Sequence, residues 1–494
     1  MISETNYFLG VDIGTTSTKV IAFAADGHIL VQHQKGYPIQ HPQPDWSEQD
    51  PDEILQVVLE LIALVQAETR LQATLQGLSF SAAMHSLMAV DIAGKPLTQL
   101  MIWADNRSAS TADALRNSAQ GMSVYQATGT PIHAMTPLCK LAWLRDHQPG
   151  LFPQAHKFIG IKEYIVYYLT GRYAVDHSIA SATGLFDIHT FDWNPQALRV
   201  AGIATAQLSD LVSIFHKEYL LPGVAAQLGI ATTVPLVIGA SDGCLANVGA
   251  GAVAPDRLSV TIGTSGAVRT GIPQPWTDAH MRTFCYVLTS DLFIAGGGMN
   301  NGGIIAEWLH QNFFPEIANF EDLIPLAETI PPGSDGLVFL PYLLGERAPV
   351  YNAHAKGVYF GITIQHTQAH FVRATLEGIA LAIYHTGKAL LDEFPGLATL
   401  YVSGGLARSA FVVQLLADVY GKKTLVTETV ESSAYGAVIV GWKALGLLEG
   451  WPTATPADIP QEAEPDMQKH QVYQQLFARY TRLYHALQSE FAEK

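Results

Sequence analysis

The hydrophobic positions of the first ninety residues change period twice. "GVDIGTTSTK" (10–19) passes from a strand-like stretch into a glycine and a string of hydroxyls, and "TKVIAFA" (18–24) continues as a β-prone run. Asp26-Gly27 then supplies a hairpin turn before "HILVQH". From Asp50 the period becomes helical, with Asp50 as N-cap, Pro51 at the first position and Glu53 at the capping-box position. Ile54, Val57, Val58, Leu61, Ile62 and Val65 share one helical face. "LQGLSFSA" (75–82) returns to β. The pattern predicts β-β-β-α-β: a mixed sheet covered by helices in an α/β chain.

Two phosphate-gripping designs fit a glycine, hydroxyls and a lysine near the start of a chain. A P-loop would place a second glycine just before the lysine and a helix after it. Here Thr18 precedes Lys19 and the pattern stays β, which excludes that design. The other design grips phosphate at a hairpin between two strands. An internal echo supports it, since "VDIGTTSTKV" (11–20) is matched by "VTIGTSGAVR" (260–269) half a chain later. The echo predicts two related domains facing each other, residues 1–250 and 251–494, with the boundary inside the Gly- and Pro-punctuated "NVGAGAVAPD". A length of 494 residues accords with two or three domains. The C-terminus predicts an amphipathic packing helix on Val472, Leu476, Leu483 and Leu487 with aromatic neighbours.

Composition narrows the function classes. A formal net charge of −16 argues against nucleic acid and anionic membrane as partners, but not against a small anion held by backbone N–H groups. Cys139, Cys244 and Cys285 are odd in number and scattered, so neither a disulfide framework nor a metal spacing is present. No lysine or arginine precedes Lys19, no signal-peptide pattern is seen, and no apolar window reaches transmembrane length. A cytoplasmic protein is expected.

Candidate chemistry follows from carboxylates at strand ends. Asp12 can hold Mg²⁺ beside a turn in which Gly14 lets the backbone approach phosphate; it fits equally well as a turn-shaping residue. Asp242, in "VIGASDGCLANVGAG" (237–251), is placed to take a proton from a sugar hydroxyl, although Asp before Gly is also an ordinary turn. "IAGGGMNNGGIIAEW" (294–308) and "YVSGGLARSAF" (401–411) look like strand–glycine–helix junctions that point N–H groups at a ligand. "SAAMHSLMAVD" (81–91) and "IWADNRS" (102–108) place His85, Trp103, Asp105, Asn106 and Arg107 on loops whose mixed donors, acceptors and aromatic face suit a polyol.

With these residues in hand the chain resembles the FGGY carbohydrate kinases, of the actin-like (ribonuclease H-like) ATPase class. "MTPLCKLAWLRDH" (135–147) and "GVYFGITIQHTQAHFVRATLE" (357–377) resemble the two long signatures of that family. The opening hairpin, "GASDG", "IGTSG", "SGGLARS" and "ESSAYGA" (431–437) also follow the family's order across essentially the whole chain. The resemblance implies two actin-like domains with mixed sheets flanked by helices, an active site in the cleft between them, and ATP with Mg²⁺ as cofactors. It implies that Asp242 is the catalytic base, overriding the turn reading, and that Asp12, with Asp242, faces the metal. Gly14, Thr15 and Thr16 would lie around the γ-phosphate, Gly263 and Thr264 would form the second hairpin, and Gly303, Glu307, Gly405 and Ser409 would contact the nucleotide.

Met84 and His85 fall at the family's sugar-loop positions, where glycerol kinases carry Arg-Glu, so glycerol is disfavoured. The sugar loop, "WADNRS" and "TGTPIH" (128–133) are most similar to family members acting on gluconate, with phosphorylation at C6. Xylulose kinases typically read Gln-Met-His-Gly where this chain has Ala83-Met84-His85-Ser86, and they are the alternative. Met84, His85, Trp103, Asp105, Arg107, His133 and Asp242 are the expected substrate residues. His85, Arg107 and His133 are the expected partners of a gluconate carboxylate. A homodimer is compatible with this reading. Three other classes are open to an actin-like chain: a filament former, a sugar-binding protein without turnover, and a repressor. The last is disfavoured by the charge and by a first strand within ten residues of the start.

Overall fold

The computed structural model describes residues 6–71, 73–427, 431–452 and 461–492. Two sheets organise it. In the six-stranded sheet the order is Lys217–Tyr219, Pro235–Ser241, Thr74–Ala82, Asn6–Ile13, Ser17–Ala24 and Ile29–Gly36. The last three form an antiparallel meander, the Thr74 and Pro235 strands add in parallel, and the Lys217 strand closes the edge antiparallel. The strands and helix predicted for residues 18–82 are therefore present. Asp50 caps the Pro51–Thr69 helix by accepting from the Asp52 and Glu53 amides at 2.9 and 3.4 Å. Ile54, Val58, Ile62 and Val65 of that helix pack into the core beneath the sheet.

The seven-stranded sheet repeats the plan. Arg257–Ile262 and Gly266–Ile272 form a hairpin extended by Leu292–Met299 and Phe284–Thr289. Thr399–Ser403 and Lys423–Val426 add in parallel, and Gln461–Ala463 closes the edge antiparallel. The sequence echo is thus a structural one, because both copies are the first hairpin of their sheet. Within the described residues the two sheets share a meander, two parallel strands and an antiparallel edge.

The halves are joined by a pair of helices. Asp242–Gly249 follows the Pro235 strand directly, and Ser432–Ala444, although it follows strands of the second sheet, packs against it and against the first sheet. Contact is backbone to backbone: a Cβ on Gly249 would lie 2.0 Å from the Ser432 carbonyl oxygen, and one on Gly436 2.1 Å from that of Leu245. Lys19 reaches Glu431, at the start of the crossing helix, in an ion pair of 2.7 Å. The lysine that suggested a P-loop is therefore engaged between the halves.

The Met467–Leu487 helix is present where predicted, but its buried face differs from the expected one. Val472 is exposed, whereas Tyr473, Leu476, Phe477, Tyr480 and Tyr484 are buried. The large aromatic positions, spaced three and four apart, define the stripe better than the aliphatic ones. The three cysteines are free and buried. No helix among the described residues is long and apolar enough to cross a membrane.

Candidate active site

Three parallel strands end side by side at the mouth of the cleft, the usual place for a ligand in an open α/β sheet. In register, Asp12 lies beside Ser81 and Ser241 beside Ala82. Asp12 and Asp242 are thus delivered to one place by strand ends nearly 230 residues apart in sequence. The Ser81 hydroxyl donates to Asp12 Oδ1 at 2.6 Å. Burial pushes the Asp12 carboxyl up, opposed by the Ser81 hydrogen bond and the nearby Lys19 charge.

Asp242 opens its helix immediately after Ser241. Burial, and then the Asp12 charge, push it up to about 6, with Arg269 and the Gly243 amide acting against them. Its backbone is held from behind. The Ser178 and Ser241 hydroxyls lie 2.7 Å apart, and the Lys162 ammonium bridges buried Asp176 (2.7 Å) and the Ala240 carbonyl (3.2 Å). The site therefore contains a rigidly held carboxylate with a pKa suited to general-base work near neutrality.

Both hydroxyl hairpins face this point. The Gly14–Thr16 turn is tied to the sugar side by Trp103, whose Nε1 donates to Thr15 Oγ1 at 2.8 Å. The Gly263–Ser265 turn docks on the start of the Gly303–Phe313 helix: Gly303 N donates to Gly263 O (2.7 Å) and Ile304 N to Thr264 O (3.1 Å). A Cβ on Gly303 would meet Gly263 O at 2.8 Å, so close docking explains this glycine without a ligand. Gly405 lies in an exposed turn with open space where a Cβ would stand, and Glu307 is exposed on the helix beside it. The Ser409 hydroxyl accepts from the Val412 amide at 3.4 Å as the N-cap of Ala410–Tyr420. Of these four residues, Gly303 is the one that touches the second hairpin.

Between the hairpins and the sugar loop lies a cavity of about 260 Å³. Of the residues singled out in the sequence, Thr15, Met84, His85, Trp103, Asp242 and Gly263 line it. His85 sits at φ 68, with Nδ1 2.8 Å from the Ala182 carbonyl, which fixes the proton there. Nε2 is left as an acceptor, 3.4 Å from the Tyr286 hydroxyl. Burial pushes His85 down to about 3, so it is a neutral hydrogen-bonding group throughout the physiological range.

Three expected substrate residues are placed elsewhere. Asp105 is fully buried, accepts from the Ser47 amide at 2.8 Å and pairs with Arg107 at 2.7 Å. Arg107 also pairs with Glu48 and stacks over Trp46, 3.6 Å from the ring centroid. Neither lines the cavity; they brace the loop that carries Trp103. His133 stands behind the Tyr351 wall, accepts from the Met135 amide through Nδ1 at 3.2 Å, and is pushed by burial to about 3. Burial holds both histidines neutral and Arg107 is paired with its own carboxylates, so none of the three presents an unpaired cation to the cavity.

Two arginines that the motif reading passed over line the cavity instead. Arg347 stacks over Trp103 at 4.6 Å and donates to Asn300 Oδ1 and the Met299 carbonyl at 2.8 and 3.0 Å. Arg269 is the last residue of the second hairpin echo, and its Nε is buried without a partner. Lys140, from the first long motif, was also missed. It is fully buried and donates to the carbonyls of His85 (2.6 Å), Ile102 (2.7 Å) and Met101 (3.4 Å), pinning both sugar loops at once. Lys140→Met is expected to raise the sugar KM roughly tenfold with less effect on kcat, since it removes charge-assisted hydrogen bonds to both loops. Steady-state kinetics on the folded variant check this, and an unchanged KM would remove Lys140 from the positioning of the site.

Among the described residues no group of three or more His, Cys, Asp or Glu gathers as a metal centre. Two carboxylates that raise each other's affinity for a positive charge nevertheless suit Mg²⁺, which takes few protein ligands and completes its shell with phosphate and water.

The sequence matches the FGGY family of carbohydrate kinases in both halves, the N-terminal domain over residues 7–249 and the C-terminal domain over 258–445. It is similar to the gluconokinase of Bacillus subtilis (strain 168), 42% identical over 460 residues covering 90% of this chain and 89% of that protein. The gluconokinase of Bacillus licheniformis is 40% identical over 504 aligned residues, covering 99% and 98%. Among solved structures, a ligand-bound xylulose kinase from Lactobacillus acidophilus gives a TM-score of 0.94 at 31% identity, with 99% of each chain covered. A gluconate kinase from the same organism gives 0.93 at 32%, again with 99% of each chain covered.

Proposed function

The chain belongs to the FGGY family of carbohydrate kinases, with that family's two actin-like ATPase domains, and from that premise we propose that it transfers the γ-phosphoryl group of ATP to the C6 hydroxyl of D-gluconate. The observation that carries the reading is Asp242, held at a strand end between two hydroxyl hairpins and open to a cavity lined by Trp103, Met84, His85 and two arginines. An arginine-lined cavity suits a sugar acid better than a neutral ketose. Xylulose is the weaker alternative: the fold matches both kinds of kinase equally, but the gluconokinases are 40–42% identical where a xylulose kinase of Staphylococcus epidermidis is 30%.

In this reading residues 1–250 carry the base and the sugar loops, and residues 251–494 bind the nucleotide and lend Arg269 and Arg347 to the sugar cavity. Gluconate occupies the cavity with its C6 hydroxyl at Asp242. ATP lies along the second half, its phosphates between Gly14–Thr16 and Gly263–Thr264, with Gly303, Glu307, Gly405 and Ser409 on the nucleotide side. Asp242 accepts the hydroxyl proton as the oxygen attacks phosphorus in line, giving 6-phosphogluconate and ADP. Mg²⁺, when bound at Asp12 and Asp242, supplies the positive charge that offsets the phosphate oxygens. Met84, Trp103 and Tyr286 keep water from the acceptor position, where it would hydrolyse ATP. A cytoplasmic location fits this chemistry, since ATP is there.

The test is ADP release with Mg-ATP in the presence of gluconate, xylulose, ribulose, glycerol or no sugar. Turnover confined to gluconate is expected. Turnover on xylulose alone would replace the substrate while leaving the kinase, and silence on every sugar would favour a non-catalytic actin-like protein.

A further inference from the structure

We infer that Arg269 reads the carboxylate of the acceptor and so separates sugar acids from neutral sugars of the same length; this rests on the gluconate reading above. Arg269 lines the cavity, and its guanidinium makes no hydrogen bond or ion pair with any described residue. The other basic groups nearby already donate to the protein. Lys140 spends its ammonium on three carbonyls, Arg347 donates from two of its nitrogens, and His85 uses its one proton on Ala182. A half-buried guanidinium whose Nε is fully buried without a partner is costly unless a ligand completes it, and its planar fork matches a carboxylate in two parallel hydrogen bonds.

Position along the strand agrees. Gly266–Ile272 leaves the phosphate hairpin at Gly266 and runs along the cavity, with Ala267 and Arg269 both among its lining residues. Three residues of strand carry Arg269 roughly 10 Å from the hairpin. Five C–C bonds of ordinary length separate C1 from C6 of an extended six-carbon acid, about 6 Å. The side chain itself turns back toward the base, since a Cβ on Gly243 would meet its Nε and one Nη at 3.3 Å, so an acid with C6 at Asp242 brings C1 to Arg269 by curving across the cavity rather than lying extended. Asp242 and Arg269 sense each other's charge without forming an ion pair, which leaves the guanidinium free for the ligand.

A site whose buried donor must be satisfied rejects analogues that cannot accept from it far more strongly than a mere apolar pocket would. The discriminating ligand is D-gluconamide, which keeps the hydroxyl chain and replaces the carboxylate by a neutral amide. The wild-type chain is expected to prefer gluconate over gluconamide by about 10²–10³-fold in kcat/KM, the range for leaving a buried charge unpaired. Arg269→Leu is expected to bring that ratio within about fivefold of unity, mainly through the gluconate KM, and Arg269→Lys to retain part of the preference. The wild-type ratio and the Lys variant decide the matter should the Leu variant fail to fold. A wild-type chain active on gluconate yet indifferent to the amide, or a folded Leu variant that keeps the preference, would overturn the inference. Turnover on xylulose with none on gluconate would overturn the functional reading instead.

Discussion

Asp242→Asn is expected to fold as the parent chain does and to lose about 10²–10⁴-fold in kcat, the usual worth of a positioned general base. Asparagine keeps the shape and the start of the Asp242–Gly249 helix, so Ser178, Ser241 and Lys162 have no reason to release the strand end. What is lost is the acceptor of the hydroxyl proton. A pH profile separates this from general damage. With Asp242 raised to about 6, the wild-type kcat/KM should fall tenfold per pH unit below about pH 6, and the residual activity of the variant should lack that limb. Stability should move the other way. A carboxyl whose folded pKa lies above its ordinary 3.8 is favoured in the folded chain as pH falls from 6 toward 3.8, and above pH 6 its buried charge is a cost. The Asn variant should therefore melt no lower than wild type at pH 8. Retained turnover, or an acid limb that survives the substitution, would remove Asp242 from the role of base.

Much of this arrangement was legible in the sequence because it lies in local patterns. The hairpin at Gly14 and its echo at Gly263 announce themselves by an apolar run, a glycine and hydroxyls, and the Pro51–Thr69 helix by its cap and its period. What could not be read locally is which long side chains point into the cleft. Arg107 follows Trp103 on a polar loop and had every outward sign of a ligand residue. Its guanidinium is claimed by Asp105, Glu48 and Trp46, a choice made only once the chain around residue 46 folds over it. Arg269 bears no such sign, yet it ends the repeated hairpin segment 260–269. Alternation along the strand places it on the cavity side with Ala267. The histidines mislead for a related reason: a histidine in a sugar loop suggests a cation, but burial makes His85 and His133 neutral. Lys140 is the converse, a charge inside a helix between apolar neighbours whose partners, the carbonyls of two distant loops, leave no mark in sequence.

The second large effect is expected at Gly239, three residues before the base. The Pro235 strand pairs in parallel with Thr74–Ala82, and its register slips between Val237 and Ala240, so that an extra residue is accommodated where the strand turns toward the cleft. Gly239 takes that place at φ 69, and a Cβ there would lie 1.9 Å from the Phe80 carbonyl oxygen. Neither the conformation nor the space admits a side chain, and the obstacle is backbone that cannot rotate aside. Gly239→Ala should force the two strands apart and cost about 3 kcal/mol or more, through backbone strain and lost pairing together. Because Ser81, the partner of Asp12, and Ser241, the neighbour of Asp242, lie on those two strands, the loss should reach the chemistry. The expected result is a lower thermal midpoint and a reduced kcat in whatever fraction folds, with sugar binding less affected. Gly223→Ala, at an exposed position of the Pro222–Leu228 helix where a Cβ meets nothing within 4 Å, should be neutral or slightly stabilising. Equal behaviour of the two variants in thermal melts would show that the bulge, and with it the placement of the base, does not depend on a glycine.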